Sequence, residues 1–351
     1  MAIPDKATTV KTEQAGLVSV IIPVYNAERY VAEAVESALA QAETGEVLLI
    51  EDGSPDNSLA VCERLAAEHE RVRLLRHPDG ENRGAAEARN LGIENARCPY
   101  IAFLDADDYY LPQRFTKALE ILEGDTTVDG VYGAVEIRFD TEEMRRWWEE
   151  RGQASMYTYA APPAPEDVFA TLCGRGPVKG CFHTNGITVR RSLFEQTGLF
   201  VPELRMAQDV AMWLKMAAVG RLVAGALDAP IAVQRLHGEN RIYRDAEINK
   251  LYDLQARSHV FLWALENGLG TNVTKYLVER HLIYQHQVRT TDRTHKRFRL
   301  ADLPWLIRLA ARVPIAITNA YFWHYVLESM HCPLDVTTIR RMKRFVLRQS
   351  S

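Results

Sequence analysis

The first third of the chain alternates short apolar runs with longer amphipathic stretches. Runs that are rich in β-branched residues and too short for independent helices predict buried strands. They lie at 17–23, 46–50, 72–75 and 100–104. The stretches between them predict helices at 28–41, 56–69 and 85–95. Strands and helices at this spacing form right-handed βαβ units, so the pattern predicts an α/β, Rossmann-like fold with a mainly parallel sheet flanked by helices.

The pattern changes after residue 130. Short strands are predicted at 130–139, 186–190 and 230–235, and a helix at 209–218. We expect this half to complete a mixed sheet and to supply the site of a second substrate. From 242 onward the chain reads as helices, with breaks near Gly268, Pro304, Pro314 and Pro333. The predicted organisation is a polar segment 1–16, a catalytic domain 17–241 with halves 17–112 and 113–241, and a helical region 242–351.

Composition places the chain among ordinary globular proteins. Of its 351 residues, 47% are hydrophobic and 25% charged, which excludes collagen-like and wholly disordered chains. The five cysteines are scattered without a Cys-x-x-Cys pair, so a zinc or redox motif is not indicated. The sequence has neither an apolar signal core near Met1 nor a run of about 18 apolar residues. We therefore expect a cytoplasmic protein.

The net charge of −4 conceals a basic C-terminal region. Residues 288–351 hold 12 Lys and Arg against 4 Asp and Glu, a net +8 that leaves −12 for the rest. The apolar face with Arg308 and Arg312, and the cluster 340–345, are typical of helices that lie on anionic membrane or bind a lipid diphosphate. More often, such stretches pack on the domain with a solvated basic face or form a homodimer contact. The basic residues lack interleaved stacking aromatics, which argues against nucleic acid.

Candidate chemistry follows the predicted strands. In parallel α/β sheets ligands bind beyond the carboxyl ends of the strands, where this chain places Tyr25, Asp52, Asp105 and Asp107. Two carboxylates at i and i+2 suit Mg²⁺ or Mn²⁺, which neutralises phosphate oxygens. Each residue alone also fits an ordinary turn, since Asp-Gly-Ser and acidic turns commonly bond their own backbone.

Four segments in order resemble the successive signatures of glycosyltransferase family 2. They are Val18-Ser-Val-Ile-Ile-Pro-Val-Tyr-Asn-Ala27, Ile50-Glu-Asp-Gly-Ser-Pro-Asp-Asn-Ser58, Asn82-Arg-Gly-Ala-Ala-Glu-Ala-Arg-Asn-Leu-Gly92 and Tyr100-Ile-Ala-Phe-Leu-Asp-Ala-Asp-Asp108. The resemblance spans roughly residues 17–112. It implies a GT-A fold, inversion at the anomeric carbon and a UDP-linked donor.

The resemblance also implies roles for single residues on the donor side. It makes Tyr25 the base-stacking residue, Asp52 the uracil contact, Asp105 a ribose or phosphate contact that can share the metal, and Asp107 the direct ligand of Mn²⁺ or Mg²⁺. Further donor contacts are implied at Pro23, Glu28, Arg83, Arg89 and Ala106. Arg89 fits either a diphosphate contact or an anchor for the donor loop. Glu51 departs from the family, which more often has Asp there.

The second half holds the predicted catalytic base and a candidate histidine. Inversion in one displacement needs a base for the acceptor hydroxyl, and Asp209, in a segment that resembles the family's Glu-Asp, is the candidate, although Gln208 replaces the Glu. The alternative is that Asp209 only starts this helix, since Asp is a good N-cap. His237, in a segment resembling an Arg-x-His turn, fits a diphosphate contact, a metal ligand or a structural histidine. His183 fits the wall of an acceptor pocket or a buried structural role.

Two other functions need features that the sequence lacks, and two more are compatible with its acidic residues. A sugar-1-phosphate nucleotidyltransferase needs a Gly-rich basic loop after the first strand, and residues 23–27 offer none. A processive synthase would carry Gln-x-x-Arg-Trp, which is missing. A glycoside hydrolase using Asp107 and Asp209, or a non-catalytic binding scaffold, stays open. The favoured hypothesis is transfer of a single sugar from a nucleotide diphosphate to a saccharide or lipid-linked acceptor, at the inner membrane face if the tail binds lipid.

Overall fold

The structure, a computed structural model, describes residues 16–291 apart from 151, 153, 239 and 241–245. The strands are β1 (Val18–Val24), β2 (Thr44–Glu51), β3 (Val72–Arg76), β4 (Tyr100–Phe103), β5 (Tyr109–Tyr110), β6 (Gly130–Tyr132), β7 (Ala134–Phe139), β8 (Met156–Tyr157), β9 (Ile187–Arg190), β10 (Leu222–Ala224) and β11 (Pro230–Leu236). The helices are α1 (Val31–Leu39), α2 (Ser58–Glu68), α3 (Ala85–Asn95), α4 (Thr116–Gly124), α5 (Glu142–Glu149), α6 (Val168–Leu172), α7 (Leu193–Thr197), α8 (Gln208–Val219), α9 (Ala246–Glu266) and α10 (Thr271–Thr291), with 3-10 turns at Pro165–Asp167 and Thr184–Gly186.

Within the described residues the main sheet has seven strands in the order β10-β6-β9-β4-β1-β2-β3. The strands β1 to β4 run parallel to one another, and β6 pairs with β10 in parallel. Only β9 among these strands is antiparallel, to both β4 and β6. The predicted mixed, mainly parallel α/β sheet is therefore confirmed.

Both faces of this sheet are covered. Successive side chains of a strand point to opposite faces, and on β1 both Ile21 and Ile22 are fully buried. Ile22 belongs to the apolar cluster that includes residues of α1, α2 and α4, whereas Ile21 belongs to the one that includes residues of α3, α7 and α8. Burial on both faces explains why the strand reads as a continuous apolar run.

A second sheet, in the order β5-β11-β7-β8, lies mostly in the half of the chain after residue 112. The expected single strand at 130–139 is two strands, because Gly133 interrupts it. The Gly133 N–H donates to the carbonyl of Gly186 at 3.0 Å, and a Cβ at Gly133 would lie 2.5 Å from Cδ1 of Ile231. The chain leaves the main sheet there, so β7 and β11 pair with each other.

The helices α9 and α10 form a hairpin that packs against α6 and α8. Their apolar faces enclose Ala211, Leu214 and Phe261 in one buried cluster, and Gly268, with φ of 67°, makes the turn between them. The predicted helices from 242 onward agree with the structure as far as residue 291. The predicted breaks at Pro304, Pro314 and Pro333, and the basic clusters, lie outside the described residues. In the described part of the chain, every helix is too short or too polar to cross a bilayer.

Candidate active site

The loops after β1 and β2 are fastened to each other at the carboxyl edge of the sheet. The N–H of Glu28 donates to Oδ2 of Asp56 at 3.0 Å, and Oε2 of Glu28 accepts from the N–H of Asn57 at 3.0 Å. Glu28 thus fixes this edge of the site. Tyr25 follows β1 and is 44% exposed, and Pro23 in β1 is half-buried. The predicted stacking surface of Tyr25 is accordingly accessible.

Asp52 is buried beyond the end of β2 and holds the start of α3. Its carboxylate oxygens accept the backbone N–H groups of Arg83 and Gly84, both at 2.8 Å. The guanidinium of Arg83 points away to an ion pair with Asp79 at 2.6 Å. Asp52 therefore fixes the loop that faces the predicted nucleotide, while its uracil contact and the donor contact of Arg83 stay predictions.

Residues 105–108 form a turn directly after β4, closed by a bond from the N–H of Asp108 to the carbonyl of Asp105 at 3.0 Å. Arg89 is buried, and its Nη2 donates to Oδ1 of Asp105 at 2.7 Å. The guanidinium lies 5.5 Å from the ring centroid of Phe200. This contact with Asp105 is the one that the anchor role needs, and a diphosphate contact of Arg89 stays a prediction. Ala106 is buried in the turn.

Asp107 presents its carboxylate to a histidine from the second sheet. The side chain of Asp107 is 30% exposed, and its Oδ2 lies 3.0 Å from Nε2 of His237. Asn240 Nδ2 donates to the same oxygen at 3.1 Å. The His237 ring stacks on Tyr30 with centroids 5.0 Å apart. The structure thus brings together two residues that lie 130 positions apart in sequence.

Arg235 connects this cluster to α1. Its guanidinium lies 4.7 Å from the ring centroid of Tyr109 and 5.5 Å from that of Tyr30, and it pairs with Glu33 at 2.6 Å. The backbone N–H of Arg235 donates to Oδ1 of Asp108 at 2.8 Å. Because β11 ends at Leu236, this arrangement fixes where His237 enters the site.

Asp108 and Asn185 complete the turn, and neither was among the predicted site residues. Asp108 is 1% exposed, and its Oδ2 accepts from Nδ2 of Asn185 at 2.6 Å. Burial raises the pKa of the Asp108 carboxyl well above its usual range, the charges of Asp107 and Asp105 raise it further, and its N–H donors oppose them. The sequence feature that could have indicated Asp108 is that it is the third Asp within residues 105–108. The contribution of Asn185 was invisible without the pairing of β9.

Asp209 lies in the first turn of α8. Its Oδ1 accepts the N–H of Val210 at 2.8 Å, so it does stabilise the helix start. The charge of Asp209 also acts on His183. Burial lowers the pKa of His183, and the charges of Asp105 and Asp209 act in the opposite direction. His183 therefore lies within electrostatic range of both carboxylates, and it stacks on Tyr157 with centroids 5.0 Å apart.

The residues present fit a divalent cation held jointly with a substrate. Within the described part of the chain, no three His, Cys, Asp or Glu side chains come together as a metal group. Magnesium at phosphate sites usually takes one or two carboxylates and completes its shell with substrate oxygens and water. Asp107 supplies an accessible carboxylate. The imidazole of His237 beside it can serve as a second ligand, although Mn²⁺ prefers carboxylates to imidazole. Asp105 is engaged by Arg89, so its share in the metal stays a prediction.

Comparison with known proteins gives consistent matches. The profile of the family described as Glycosyl transferase family 2 matches residues 19–193. An uncharacterized glycosyltransferase of Rickettsia felis is 31% identical over 232 residues, covering 64% of this chain and 35% of that protein. The hyaluronan synthase of Pasteurella multocida is 39% identical over 235 residues, covering 67% of this chain and 22% of that protein. The chain thus spans about a third or less of the length of these relatives.

A solved structure shares the fold. The crystal structure of residues 1–349 of S. aureus TarS in complex with UDP-GlcNAc aligns with a TM-score of 0.59 at 16% identity. The alignment covers 95% of this chain and 92% of that one. At this identity the likeness shows the architecture and leaves the chemistry to be argued from the residues.

Proposed function

This chain belongs to glycosyltransferase family 2 and has the GT-A fold, and from that premise we propose that it transfers a single sugar from a UDP-linked donor to a hydroxyl of a saccharide or lipid-linked acceptor, with inversion and with a divalent metal. One observation carries the proposal. Asp107, in the turn after β4, and His237, directly after β11, lie 3.0 Å apart, and the side chain of Asp107 is 30% exposed there. The UDP-GlcNAc complex of TarS supports the choice of nucleotide.

In this proposal the first two loops bind the nucleoside. Tyr25, exposed beyond β1, stacks on the base, because a ring with an open face offers area at low entropic cost. Asp52 holds the loop at Arg83 and Gly84 and lines the base pocket beside Pro23. Arg89 keeps the Asp105 carboxylate directed toward the ribose and diphosphate.

Asp107 and His237 would hold the Mn²⁺ or Mg²⁺ ion. The ion, when bound, neutralises charge on the leaving diphosphate. The chain's own contribution is to orient these two side chains: Asn240 donates to Asp107, and Tyr30 supports the imidazole face of His237. Such fixed orientation lowers the cost of organising charge during the reaction.

Asp209 acts as the general base. A single displacement with inversion needs a carboxylate that removes the proton of the attacking hydroxyl on the side opposite the diphosphate. The support is its place in the first turn of α8 and its electrostatic reach to His183, which Asp105 reaches as well. His183 and Tyr157 then belong to the wall of the acceptor pocket.

The surroundings of the reaction belong to the same proposal. The acceptor is a growing saccharide or a lipid-linked sugar, and the basic residues 288–351 bring the protein to the anionic inner face of a membrane from the cytoplasm. A homodimer contact through the same region is the other arrangement that its charge permits. Residues 1–16 and 242–351 flank the catalytic domain.

Titration of UDP tests the donor and metal assignments together. Isothermal titration with Mn²⁺ and without it is expected to show metal-dependent binding to the wild type. Asp107→Asn should weaken the metal-dependent binding at least about tenfold, since it removes the anionic ligand. Asp125→Asn is the matched control, because Asp125 pairs with the exposed Arg221 beside the start of β6. Unchanged affinity of Asp107→Asn would disprove the metal role, and tight UDP binding without turnover of any UDP-sugar would favour the scaffold.

A further inference from the structure

Asn185 occupies a position between the two halves of the site. It lies in the 3-10 turn Thr184–Gly186, immediately before β9, and is fully buried. Because β9 runs antiparallel to β4, with Ala102 opposite Thr188, the start of β9 meets the carboxyl end of β4. This strand direction places an amide side chain directly under the acidic turn 105–108.

The amide of Asn185 bonds to both ends of that turn. Its Oδ1 accepts the backbone N–H of Asp105 at 3.1 Å, and its Nδ2 donates to Oδ2 of Asp108 at 2.6 Å. A backbone N–H can only donate, so the amide oxygen must face Asp105 and the NH₂ group must face Asp108. The orientation of the amide is therefore fixed by its partners.

The backbone of Asn185 is held as firmly as its side chain. Arg114 is 1% exposed, and its guanidinium donates to the carbonyls of Asn185 and Ile187, both at 3.0 Å. Its aliphatic and cationic surface lies against Tyr110, whose ring centroid is 5.0 Å from Cζ. A buried arginine so engaged leaves Asn185 little freedom, which suits a residue that sets the position of others.

Asn185 also contacts the acceptor side. Its N–H donates to Nδ1 of His183 at 3.3 Å. With Nδ1 accepting, the proton of the neutral ring resides on Nε2. His183 stacks on Tyr157, so one residue joins the acidic turn to the wall of the proposed acceptor pocket.

We propose that Asn185 is a positioning residue that sets the location of Asp107 by holding Asp105 and Asp108 on either side of it. The inference rests on the proposed function, since it assigns a role in metal and donor binding. Loss of the amide donor leaves the buried Asp108 carboxylate short of a partner, and the turn then moves Asp107 away from His237. Supporting residues of this kind change metal affinity or activity by about 10- to 100-fold when they are replaced.

An exchange of the two partners tests this role. Asn185→Asp places a second carboxylate against Asp108, and Asp108→Asn removes the anion that the amide serves. In the double variant, the carboxylate at position 185 accepts from the backbone N–H of Asp105 and from the side-chain NH₂ group at position 108. The amide oxygen at position 108 accepts from the backbone N–H of Arg235. The single variants should lose at least about tenfold in sugar transfer and need more Mn²⁺ for half-maximal rate. The double variant should restore both the transfer rate and the Mn²⁺ requirement to within a few-fold of the wild-type values.

The controls distinguish a failure of the positioning role of Asn185 from a failure of the proposed sugar transfer. Asn267→Asp changes an exposed amide that bonds Trp263 at the end of α9 and should leave transfer and Mn²⁺ requirement unchanged. If the wild type transfers no sugar from any UDP donor, the proposed function fails. If the wild type is active but the folded single variants keep its Mn²⁺ requirement and rate, the positioning role fails. Where single variants do not fold, a folded but inactive exchange variant overturns it, and an active one supports it.

Discussion

Adjacent carboxylates in the acidic turn have opposite environments. Asp108 is 1% exposed and bonded to Asn185 and to the backbone of Arg235, whereas the side chain of Asp107 is 30% exposed beside His237. A buried carboxylate with two N–H donors is suited to hold a turn, and an exposed one is suited to meet a ligand. The proposed metal ligand, Asp107, and the residue proposed to support it, Asp108, are thus consecutive.

The variant Asp209→Asn distinguishes the proposed role of Asp209 as proton acceptor from its role at the start of α8. The Oδ1 of Asn still accepts from the N–H of Val210, so α8 and the thermal midpoint should be unchanged. Transfer should fall by about 10²- to 10⁴-fold, because only the base is removed. Initial rates with UDP-sugar, together with UDP titration, measure this. Normal rates from Asp209→Asn would rule out the role, and weakened UDP binding would reassign Asp209 to the donor side.

The residue before α8 carries backbone strain. Ala207 has φ of 57° and ψ of 20°, a left-handed conformation that costs a residue with a Cβ about 1–2 kcal/mol. Ala207→Gly should therefore raise the thermal midpoint by about 1–3 °C, after the entropic cost of glycine in the unfolded chain.

An ordinary helical alanine provides the control for this substitution. Ala67 is exposed within α2, so Ala67→Gly should lower the midpoint, because glycine costs about 1 kcal/mol in a helix. The two variants are compared by calorimetry under the same conditions. A fall in both midpoints would show that Ala207 is not strained.

At the scale of elements, the strands that are buried on both faces were predictable and the second sheet was not. The runs at 17–23, 46–50, 72–75 and 100–104 match β1 to β4 within a few residues at each end. Because both faces of these strands are buried, nearly all of their residues are apolar, and the sequence shows each strand as a continuous apolar run. The pairing of β7 with β11, by contrast, joins residues about 96 positions apart, and no local pattern encodes a partner at that distance.

The same limit applied to the site. Tyr25, Asp52, Asp105 and Asp107 were predictable, because each lies in the loop after one of the mutually parallel strands β1, β2 and β4. Their roles came from the resemblance to a family. Asn185 was not predictable, since it reaches the site only through an antiparallel strand inserted between β4 and β6.

Helix α3 packs so closely on β1 that its glycine is required. A Cβ at Gly92 would lie 2.5 Å from Cγ2 of the fully buried Ile21. Overpacking in Gly92→Ala should cost about 1–3 kcal/mol. After the gain of about 1 kcal/mol in helix propensity, the protein should be destabilised by up to about 2 kcal/mol.

The matched control is at the end of another helix. Gly124 closes α4, and a Cβ there would meet no atom within 4 Å. Gly124→Ala should leave stability unchanged or raise it by up to about 1 kcal/mol. Urea unfolding compares the two free energies. Equal changes at Gly92 and Gly124 would contradict the close packing of α3 on β1.

At the scale of the whole molecule, the charge separation predicts where the protein acts. Replacing Arg340, Arg341, Lys343 and Arg344 by Gln in the full chain removes four positive charges from the basic region. Each cation near an anionic membrane contributes about 1 kcal/mol, so flotation with phosphatidylserine vesicles should fall strongly, and more so in low salt. Zwitterionic vesicles are the control. Equal flotation of the wild type and this variant would assign the tail to packing or dimerisation.

The helical hairpin α9–α10 has a consequence for the order in which the protein is made. Ala211 and Leu214 of α8 are covered by Phe261 and Leu277, residues that a ribosome adds about 50 or more positions later. Domains fold from the N-terminus as they emerge, so strands β1 to β4 and the nucleotide loops can assemble while α8 still exposes an apolar face. On this order Tyr25 and Asp52 can reach their places in the chain before Asp209, the proposed base, because the helix that carries Asp209 is covered only once α9 and α10 have emerged.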